Sequence, residues 1–286
     1  MSILRGRLGV VVLTHNRCAE LARTLTHLLA LPEQPPVVVV DNGSADATPA
    51  MVARDFPQVR LIRLARNIGA AARNVGVRHL DTSYAAFCDD DTWWEAGMLA
   101  QAADLLDAYP QVAVLSARVL VGPEQREDPA CAAMAASPLP SDGLPGPALL
   151  GFLAGAAVVR RHAFLLVGGY EPKFFLGGEE ALLTLDLVMR GWQVVYVPQL
   201  IAHHYPSLAR DAVGRRHFLI RNALWVAWMR LSLFNALRET CRICRRPYGR
   251  GVLGPALLGA LRELPWVCRK RQVMGNELEC FFLKLR

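Results

Sequence analysis

The stretch Phe87-Cys88-Asp89-Asp90-Asp91-Thr92 places three consecutive carboxylates directly after an apolar run, Tyr84–Cys88. The run has the length and composition of a buried strand, so the acids are expected where that strand ends. Adjacent carboxylates repel one another and are costly to desolvate, and a cation that prefers oxygen ligands, such as Mg²⁺ or Mn²⁺, relieves both costs. The alternative is a solvated acidic turn that caps the next helix, because Asp and Thr are good N-cap residues.

Three further runs of strand length precede the acidic stretch, at Leu8–Leu13, Val37–Val40 and Val59–Leu64. Helical periodicity lies between them, as in the apolar spacing that starts at Leu21. Strands that alternate with helices predict βαβ units on a parallel sheet, and therefore an α/β fold. Later in the chain, further strands are predicted at 112–121 and 194–197.

Polar clusters follow these strands in the sequence. They are Thr14-His15-Asn16-Arg17, Asp41-Asn42-Gly43-Ser44, Arg66-Asn67 and the acidic triplet Asp89-Asp90-Asp91. The carboxyl ends of parallel strands meet at one edge of a sheet, where ligands bind, so we expect all four clusters to converge. Thr14 and Asn16 have helix capping as an alternative role, and Asp41 has turn formation.

The chain has 286 residues, of which 53% are hydrophobic, enough for a substantial core. No run reaches the roughly 18 to 20 apolar residues of a membrane span, and residues 1–7 lack the features of a signal peptide. Seven scattered cysteines, an odd number, predict reduced thiols. The isolated pair Cys241 and Cys244 does not predict a zinc site. We therefore expect a cytoplasmic protein.

Positive charge is concentrated at the end of the chain. Residues 210–286 hold 16 Lys and Arg but five acids, a net charge of +11, whereas residues 1–209 carry −4. The pattern from 211 onward is helical, with apolar stretches at Leu224–Met229 and Leu253–Leu261. Basic amphipathic helices are typical of proteins that lie on anionic membranes. The alternatives are a solvated face, a helical subdomain packed on the rest of the chain, or a homodimer interface.

Residues 122–148 contain six prolines and no periodicity. A segment of this length predicts a flexible lid, a binding loop or disorder.

In order and at ordinary spacings, the motifs resemble inverting glycosyltransferase family 2, which has the GT-A fold. The matching pieces are Val11–Arg17, Val40–Asp46, Arg66–Gly69 with Ala72-Arg73-Asn74, Phe87–Asp91, Ala154-Gly155 with Arg160-Arg161, Val167–Tyr170, Gly178-Glu179-Glu180 and His203-His204. The resemblance covers about Leu8 to Pro206. It implies a Rossmann-like, mixed and mainly parallel sheet flanked by helices over residues 1–210, followed by a helical extension over 211–286.

The resemblance also implies the activity: an enzyme that moves a sugar from a nucleoside diphosphate sugar to an acceptor hydroxyl by in-line displacement. Asp91 is then the direct ligand of Mn²⁺ or Mg²⁺, and Asp89 or Asp90 holds the ribose or supports the metal. His203 or His204 completes the metal site; a histidine ligand favours Mn²⁺.

On the nucleotide side, the resemblance implies contacts from Thr14, Asn16, Arg17, Asp41 and Arg66. A carboxylate such as that of Asp41 accepts the imide N–H of uracil or thymine, so UDP- or dTDP-sugars are expected over GDP-sugars. Arg73 and Asn74 are expected to be structural.

On the acceptor side, Glu180 corresponds to the general base and Glu179 lies beside it, with helix-dipole stabilisation as the alternative role for an acid there. Trp93 is a candidate for stacking on a sugar, with core packing as the alternative. The expected acceptor is a cell-surface glycan, a lipid-linked intermediate or a small molecule, and no nucleic-acid partner is expected. The alternative functions are a sugar nucleotidyltransferase and a catalytically silent sugar-nucleotide-binding protein.

Overall fold

The computed structural model describes residue 4 and residues 6–207, 212–248 and 251–285, with the backbone alone for 212–215. The predicted domain boundary between residues 210 and 211 lies outside the described residues.

The described strands form one mixed sheet. They are β1 (Leu8–Thr14), β2 (Val37–Asp41), β3 (Arg60–Arg63), β4 (Tyr84–Asp89), β5 (Thr92–Trp94), β6 (Val112–Val121), β7 (Arg126–Glu127), β8 (Ala157–Arg160) and β9 (Gln193–His204).

Helices cover the sheet and make up the end of the chain. They are α1 (Cys18–Leu29), α2 (Thr48–Asp55), α3 (Ala72–Arg78), α4 (Met98–Ala108), α5 (Pro129–Ala135), α6 (Arg161–Leu166), α7 (Glu179–Val188), α8 (Ala212–Arg230), α9 (Leu233–Arg245), α10 (Leu253–Arg262), α11 (Leu264–Arg269) and α12 (Asn276–Lys284). The predicted mixed α/β sheet with flanking helices is confirmed.

Four neighbouring strands, in the order β3-β2-β1-β4, run parallel to one another. Val10, Val11 and Val12 of β1 are completely buried, as expected for a central strand covered on both faces. In the strand register Thr14 lies opposite Asp41, and Leu13 lies opposite Asp89. The polar clusters therefore begin at the same level of the sheet, which is what brings them together.

The second half of the sheet has mixed direction. β8 pairs antiparallel with both β4 and β6, β9 pairs parallel with β6, and β5 pairs antiparallel with the end of β9. β9 is much longer than the strand predicted at 194–197, and β5 is a strand that the sequence did not predict. Both arise from long-range pairing: Thr92 lies opposite His204, more than a hundred positions later.

The proline-rich segment 122–148 contains secondary structure. β7 pairs with β6, and α5 follows it with Asp128 as an N-cap whose side chain accepts a hydrogen bond from the Ala130 backbone N–H. Cys131 and Met134 of α5 are buried. Residues 126–135 thus contain regular elements although the sequence shows no periodicity there, and a role of the segment as a lid or binding loop stays a prediction.

Two hydrophobic cores share α7. Leu183 and Leu187 belong to the large core around the sheet, whereas Leu182 and Leu185 pack with residues of the C-terminal helices. This second core includes Phe174, Trp225, Val226, Met229, Trp266 and Phe282. None of the helices in the described ranges is both long enough and apolar enough to span a membrane.

Candidate active site

A cavity of about 530 Å³ opens at the carboxyl edge of the sheet. Its lining comes from the ends of β1, β4 and β9, from the first turn of α7, and from Leu219 of α8. Nine of the sequence-predicted site residues line it: Thr14, Arg17, Asp89, Asp90, Asp91, Glu179, Glu180, His203 and His204. The other four, Asn16, Asp41, Arg66 and Trp93, are not among its lining residues.

The acidic triplet is held by a tight turn between β4 and β5. The Asp89 backbone N–H donates to Thr92 Oγ1 at 2.8 Å, and that hydroxyl donates to the Gly155 carbonyl at 2.9 Å. From the other side, Thr24 Oγ1 of α1 donates to the Asp90 carbonyl at 2.8 Å. These bonds fix the backbone of the triplet, so its carboxylates stay together in spite of their charges.

Each carboxylate of the triplet has different surroundings. Asp89 is partly exposed and pairs with the buried guanidinium of Arg73. Asp90 and Asp91 are buried, and Arg17 Nη1 lies 3.7 Å from Asp90 Oδ1 and 3.4 Å from Asp91 Oδ2. Burial, helped by the negative charge of Asp89, raises the pKa of Asp90 to about 8 even though Arg17 lowers it. Burial therefore disfavours the charged form of Asp90.

The two histidines face different partners because successive residues of a strand point to opposite sides. His204 Nε2 lies 3.6 Å from Asp91 Oδ1, whereas His203 Nε2 lies 3.4 Å from Glu95 Oε2. The His203 ring stacks on Trp93, with ring centroids 5.8 Å apart. His204 is therefore the histidine that shares a site with the acidic triplet.

Trp93 is packed as a core residue, with 7% of its surface exposed. Its indole lies parallel to the His27 ring, with centroids 4.1 Å apart, and also contacts Tyr205. Because neighbouring rings cover it, the indole offers no free face to a sugar. The expectation that Trp93 contacts the acceptor is not supported, and the core-packing alternative fits.

Within the described residues, no group of three or more His, Cys, Asp or Glu side chains is arranged to hold a metal ion by itself. The donor set is nevertheless suited to a metal held jointly with a substrate. Mg²⁺ commonly uses one or two carboxylates together with phosphate oxygens and water, and imidazole adds a ligand that Mn²⁺ accepts. Asp91 and His204 offer one carboxylate and one imidazole within 3.6 Å of each other.

Across the cavity, α7 begins with Glu179 and Glu180. Two left-handed glycines precede it, Gly177 with φ 87° and Gly178 with φ 84°, and they turn the chain so that both acids line the cavity. Burial, and then the neighbouring charge of Glu179, raise the pKa of Glu180, whereas Arg73 lowers it. A glutamate in such surroundings is able to accept a proton near neutral pH.

The remaining residues predicted to contact the nucleotide lie outside the cavity lining. Asp41 is completely buried: Oδ1 accepts from the Ser44 N–H at 3.0 Å, and Oδ2 lies 3.4 Å from Arg63 Nε. Asn16 adopts φ 53°, and its Oδ1 accepts from the Ala45 N–H at 2.8 Å, so it links two loops. Arg66 is exposed and lies outside the cavity lining.

Sequence reasoning missed several lining residues. Arg73 was expected to be structural, but it lines the cavity as well as pairing with Asp89. Its neighbour Asn74 does not line the cavity and has the expected structural role: its side chain accepts from the Tyr170 N–H and donates to the Tyr170 carbonyl. Asn42 lies in a cluster that the sequence had singled out, where its Oδ1 accepts from the Ile68 N–H at 2.9 Å. No pattern in the sequence pointed to Leu219, because its position at the cavity depends on how α8 packs against the rest of the chain.

Comparison with known proteins bears on this arrangement. Residues 9–164 match the family described as Glycosyl transferase family 2. The N-acetylglucosaminyl-diphospho-decaprenol L-rhamnosyltransferase of Mycobacterium tuberculosis (strain CDC 1551 / Oshkosh) is 27% identical over 245 residues, covering 71% of this chain and 78% of that protein.

Two solved structures share the fold. S. aureus TarS 1–349 in complex with UDP-GlcNAc superposes with a TM-score of 0.64 at 16% identity, covering 92% of this chain and 79% of that one. The mannosyltransferase PcManGT from Pyrobaculum calidifontis, in complex with GDP-Man and Mn²⁺, superposes with a TM-score of 0.58 at 20% identity. The match covers 93% of this chain and 72% of that one. The resemblance in the sequence is confirmed: this chain belongs to glycosyl transferase family 2 and is a glycosyltransferase.

Proposed function

We propose that this glycosyltransferase moves a sugar from a UDP- or dTDP-sugar to an acceptor hydroxyl and inverts the anomeric centre. The observation that carries the proposal is the shared cavity, which the acidic triplet Asp89-Asp90-Asp91 borders together with Glu180. Inversion requires a base on the acceptor side and charge neutralisation on the diphosphate side. Both kinds of group line this one space.

In the proposed reaction, a Glu180 carboxylate oxygen takes the proton of the acceptor hydroxyl. The hydroxyl oxygen forms a bond to the anomeric carbon while the bond from that carbon to the diphosphate oxygen breaks, and the electron pair leaves on the diphosphate. The raised pKa of Glu180 supports this role, because a base is most effective when its pKa lies near the working pH. Glu179, beside it, keeps the pKa of Glu180 high.

Asp91 and His204 are the residues that would hold a divalent cation, and Mn²⁺ or Mg²⁺ bound there supplies Lewis-acid neutralisation of the leaving diphosphate. Asp89, oriented by Arg73, and the buried Asp90 act on the donor side. Arg17 lies next to Asp90 and Asp91 and adds a positive charge at the same place. The Mn²⁺ in the PcManGT complex supports the assignment of a cation to this fold.

The nucleotide preference rests on Asp41, which is not part of the cavity lining but lies opposite the lining residue Thr14 in the strand register. Its Oδ2 accepts no hydrogen bond from the described part of the chain, although Arg63 lies nearby. The imide N–H of uracil or thymine would supply such a donor. Thr14 ends β1 and Arg17 follows it, and β1 lies between β2 with Asp41 and β4 with the acidic triplet. Both residues line the cavity and complete the proposed donor contacts.

For the acceptor we propose a lipid-linked glycan at an anionic membrane surface. One relative is named for such an acceptor, a diphospho-decaprenol. Leu224, Trp225 and Met229, whose stretch suggested a membrane face, are buried in the protein. Exposed apolar residues of the extension lie on α9, at Leu233, Phe234 and Leu237, and on α10, at Leu258 and Leu261.

The test is a donor panel of UDP-, dTDP- and GDP-sugars with Mn²⁺, measuring nucleoside diphosphate released with and without a lipid-linked acceptor. We expect acceptor-dependent release with a UDP- or dTDP-sugar. Turnover that requires pyrophosphate would point to the nucleotidyltransferase alternative, and nucleotide binding without release would point to a silent binder. The names of a rhamnosyltransferase relative and a mannosyltransferase neighbour favour transfer.

A further inference from the structure

One buried side chain of the C-terminal extension contacts the loop that leads into α7. Asn222 of α8 is completely buried, and its Nδ2 donates to the carbonyls of Phe174 at 2.9 Å, Leu176 at 3.2 Å and Gly177 at 2.6 Å. Its Oδ1 accepts from Arg221 Nε at 2.9 Å. Because Arg221 only donates and the carbonyls only accept, the orientation of the Asn222 amide is determined.

The loop it holds has a backbone that local preferences do not maintain. Phe175, a residue with a Cβ, has φ 62°, and Gly177 and Gly178 have φ 87° and 84°. Glycine adopts such angles freely, but a residue with a Cβ such as Phe175 keeps them only where the surroundings impose them. A Cβ on Gly178 would lie 3.6 Å from the Asn222 Cβ, so α8 is in contact with the residue directly before Glu179.

The extension holds the rest of α7 as well. Asp186, near the end of α7, pairs with the buried Arg230 of α8, with Oδ1 2.8 Å from Nε and 2.6 Å from Nη2. Leu182 and Leu185 pack in the second core against Trp225 and its neighbours. The helix that begins with the two glutamates is therefore fixed to α8 at both of its ends.

We infer that Asn222 is a positioning residue for the glycosyl transfer. By binding three backbone carbonyls of loop 174–177, it ties the loop to α8 and sets where α7 begins, and thus where the Glu180 carboxylate lies in the cavity. The C-terminal extension is on this account part of the catalytic apparatus and not only a membrane or packing element. The inference rests on the proposed role of Glu180.

The test uses the full chain with Asn222→Ala, Asn222→Gln and a control, Thr240→Val. The Thr240 hydroxyl also makes hydrogen bonds inside the extension: it accepts from Trp228 Nε1 at 3.0 Å and donates to the Ala236 carbonyl at 2.8 Å. Thr240 does not line the cavity. We expect Asn222→Ala to lower kcat about 100-fold, as for a displaced catalytic group, with the donor KM unchanged. Asn222→Gln keeps the amide donors on a longer side chain and is expected to give an intermediate kcat.

Hydrogen exchange of the backbone amides in 174–180 is measured on the same variants without substrate. We expect faster exchange there in Asn222→Ala and unchanged exchange in Thr240→Val. A purely structural role predicts that kcat follows the folded fraction equally in both variants. Wild-type kcat in folded Asn222→Ala, or unchanged exchange in 174–180, would overturn the inference. If Asn222→Ala does not fold, the same two readouts on Asn222→Gln decide.

Failure of the proposed function is distinguishable from failure of this inference. If the wild-type chain transfers no sugar from any donor in the panel, the proposed function fails, while the exchange experiment still reports whether Asn222 holds the loop.

Discussion

Two carboxyl groups in the cavity, those of Asp90 and Glu180, have raised pKa values, with burial as the main cause in both. Their neighbours differ. Asp90 stands in a row of three acids, where a bound cation would compensate the negative charge, whereas Glu180 stands beside a single acid at the start of a helix. Burial thus disfavours the charged form of both carboxyl groups; a cation bound beside Asp90 would restore its charge, whereas Glu180 is suited to accepting a proton.

Replacing Glu180 by Gln removes the proposed base but keeps the size of the side chain. We expect kcat to fall by about 10²- to 10⁴-fold, the usual contribution of a general base, with donor binding retained in thermal-shift titrations with UDP. In the wild type, kcat rises with pH through the raised pKa of Glu180, because the deprotonated carboxylate is the active form. The variant should lack this acidic limb.

Glu127→Gln, at an exposed position on β7, is the control for the Glu180 experiment and should retain the wild-type rate. Unchanged turnover in Glu180→Gln would assign the base to another residue.

Asp90 makes a separate prediction about stability. Its pKa is about 8 in the folded chain against a reference value of 3.8, so the folded state binds more protons than the unfolded state between those values. The free energy of unfolding contributed by this group therefore falls as pH rises across that window. With a chelator present, we expect the Tm of Asp90→Asn to exceed that of the wild type by a margin that grows from about pH 5 to about pH 8.

The control for the Asp90 experiment is Asp142→Asn, a substitution at an exposed loop position. Its Tm difference from wild type should not change with pH in this way. If the Tm advantage of Asp90→Asn over the wild type shrinks as pH rises, the folded state does not bind more protons at Asp90 than the unfolded state, and the prediction is wrong.

At the scale of single elements, the end of β9 decides which histidine serves the site. The antiparallel pairing with β5 sets Thr92 opposite His204 and Trp93 opposite His203. Alternation along the strand then directs His204 to Asp91 and His203 to Glu95 and the stacked aromatic rings. A one-residue slip in this pairing would exchange the two roles.

This arrangement predicts unequal effects of two adjacent substitutions. We expect His204→Ala to raise the Mn²⁺ concentration for half-maximal activity by at least about tenfold, because even residues that only orient metal ligands contribute that much. His203→Ala is the matched control: it should leave the Mn²⁺ requirement nearly unchanged and lower Tm, since it removes a ring from the stack on Trp93. Equal effects on the Mn²⁺ requirement would refute the assignment.

On the scale of the whole molecule, the extension has two different faces. Its inner face joins α7 in the second core, and its outer face presents Leu233, Phe234 and Leu237 on one side of α9, each more than half exposed. Basic residues follow on the same helix, including Arg238, which is exposed. Apolar residues flanked by arginines are typical of helices that lie in a membrane interface.

Vesicle co-sedimentation tests the outer face. We expect the chain to bind anionic vesicles at low salt, to bind zwitterionic vesicles weakly, and to be released as ionic strength rises. The double substitution Phe234→Glu with Leu237→Glu should abolish binding, because each buried apolar side chain contributes roughly 1.5–3 kcal/mol. Leu166→Glu, at a similarly exposed position on α6, should bind as the wild type does. No binding by the wild type at low salt would refute the membrane proposal.

Strand composition and the polar residues after each strand were enough to predict the α/β sheet and the edge where the cavity lies. These signals are local: a buried strand is apolar throughout, and its end is polar wherever it meets a ligand or solvent. The same local reasoning failed at Trp93, because a bulky aromatic beside a site looks the same in sequence whether it faces a sugar or the core.

What the amino-acid sequence determined by itself was the α/β class, the acidic triplet at the end of β4 and the pair of glutamates at the start of α7. Only the tertiary structure decided that His204 and not His203 meets Asp91, that α7 belongs to two cores, and that Asn222 holds the loop before Glu179. The physical reason is distance along the chain. Strand register and helix packing depend on partners tens to more than a hundred residues away, and no local pattern encodes which of two neighbouring side chains they turn toward Asp91.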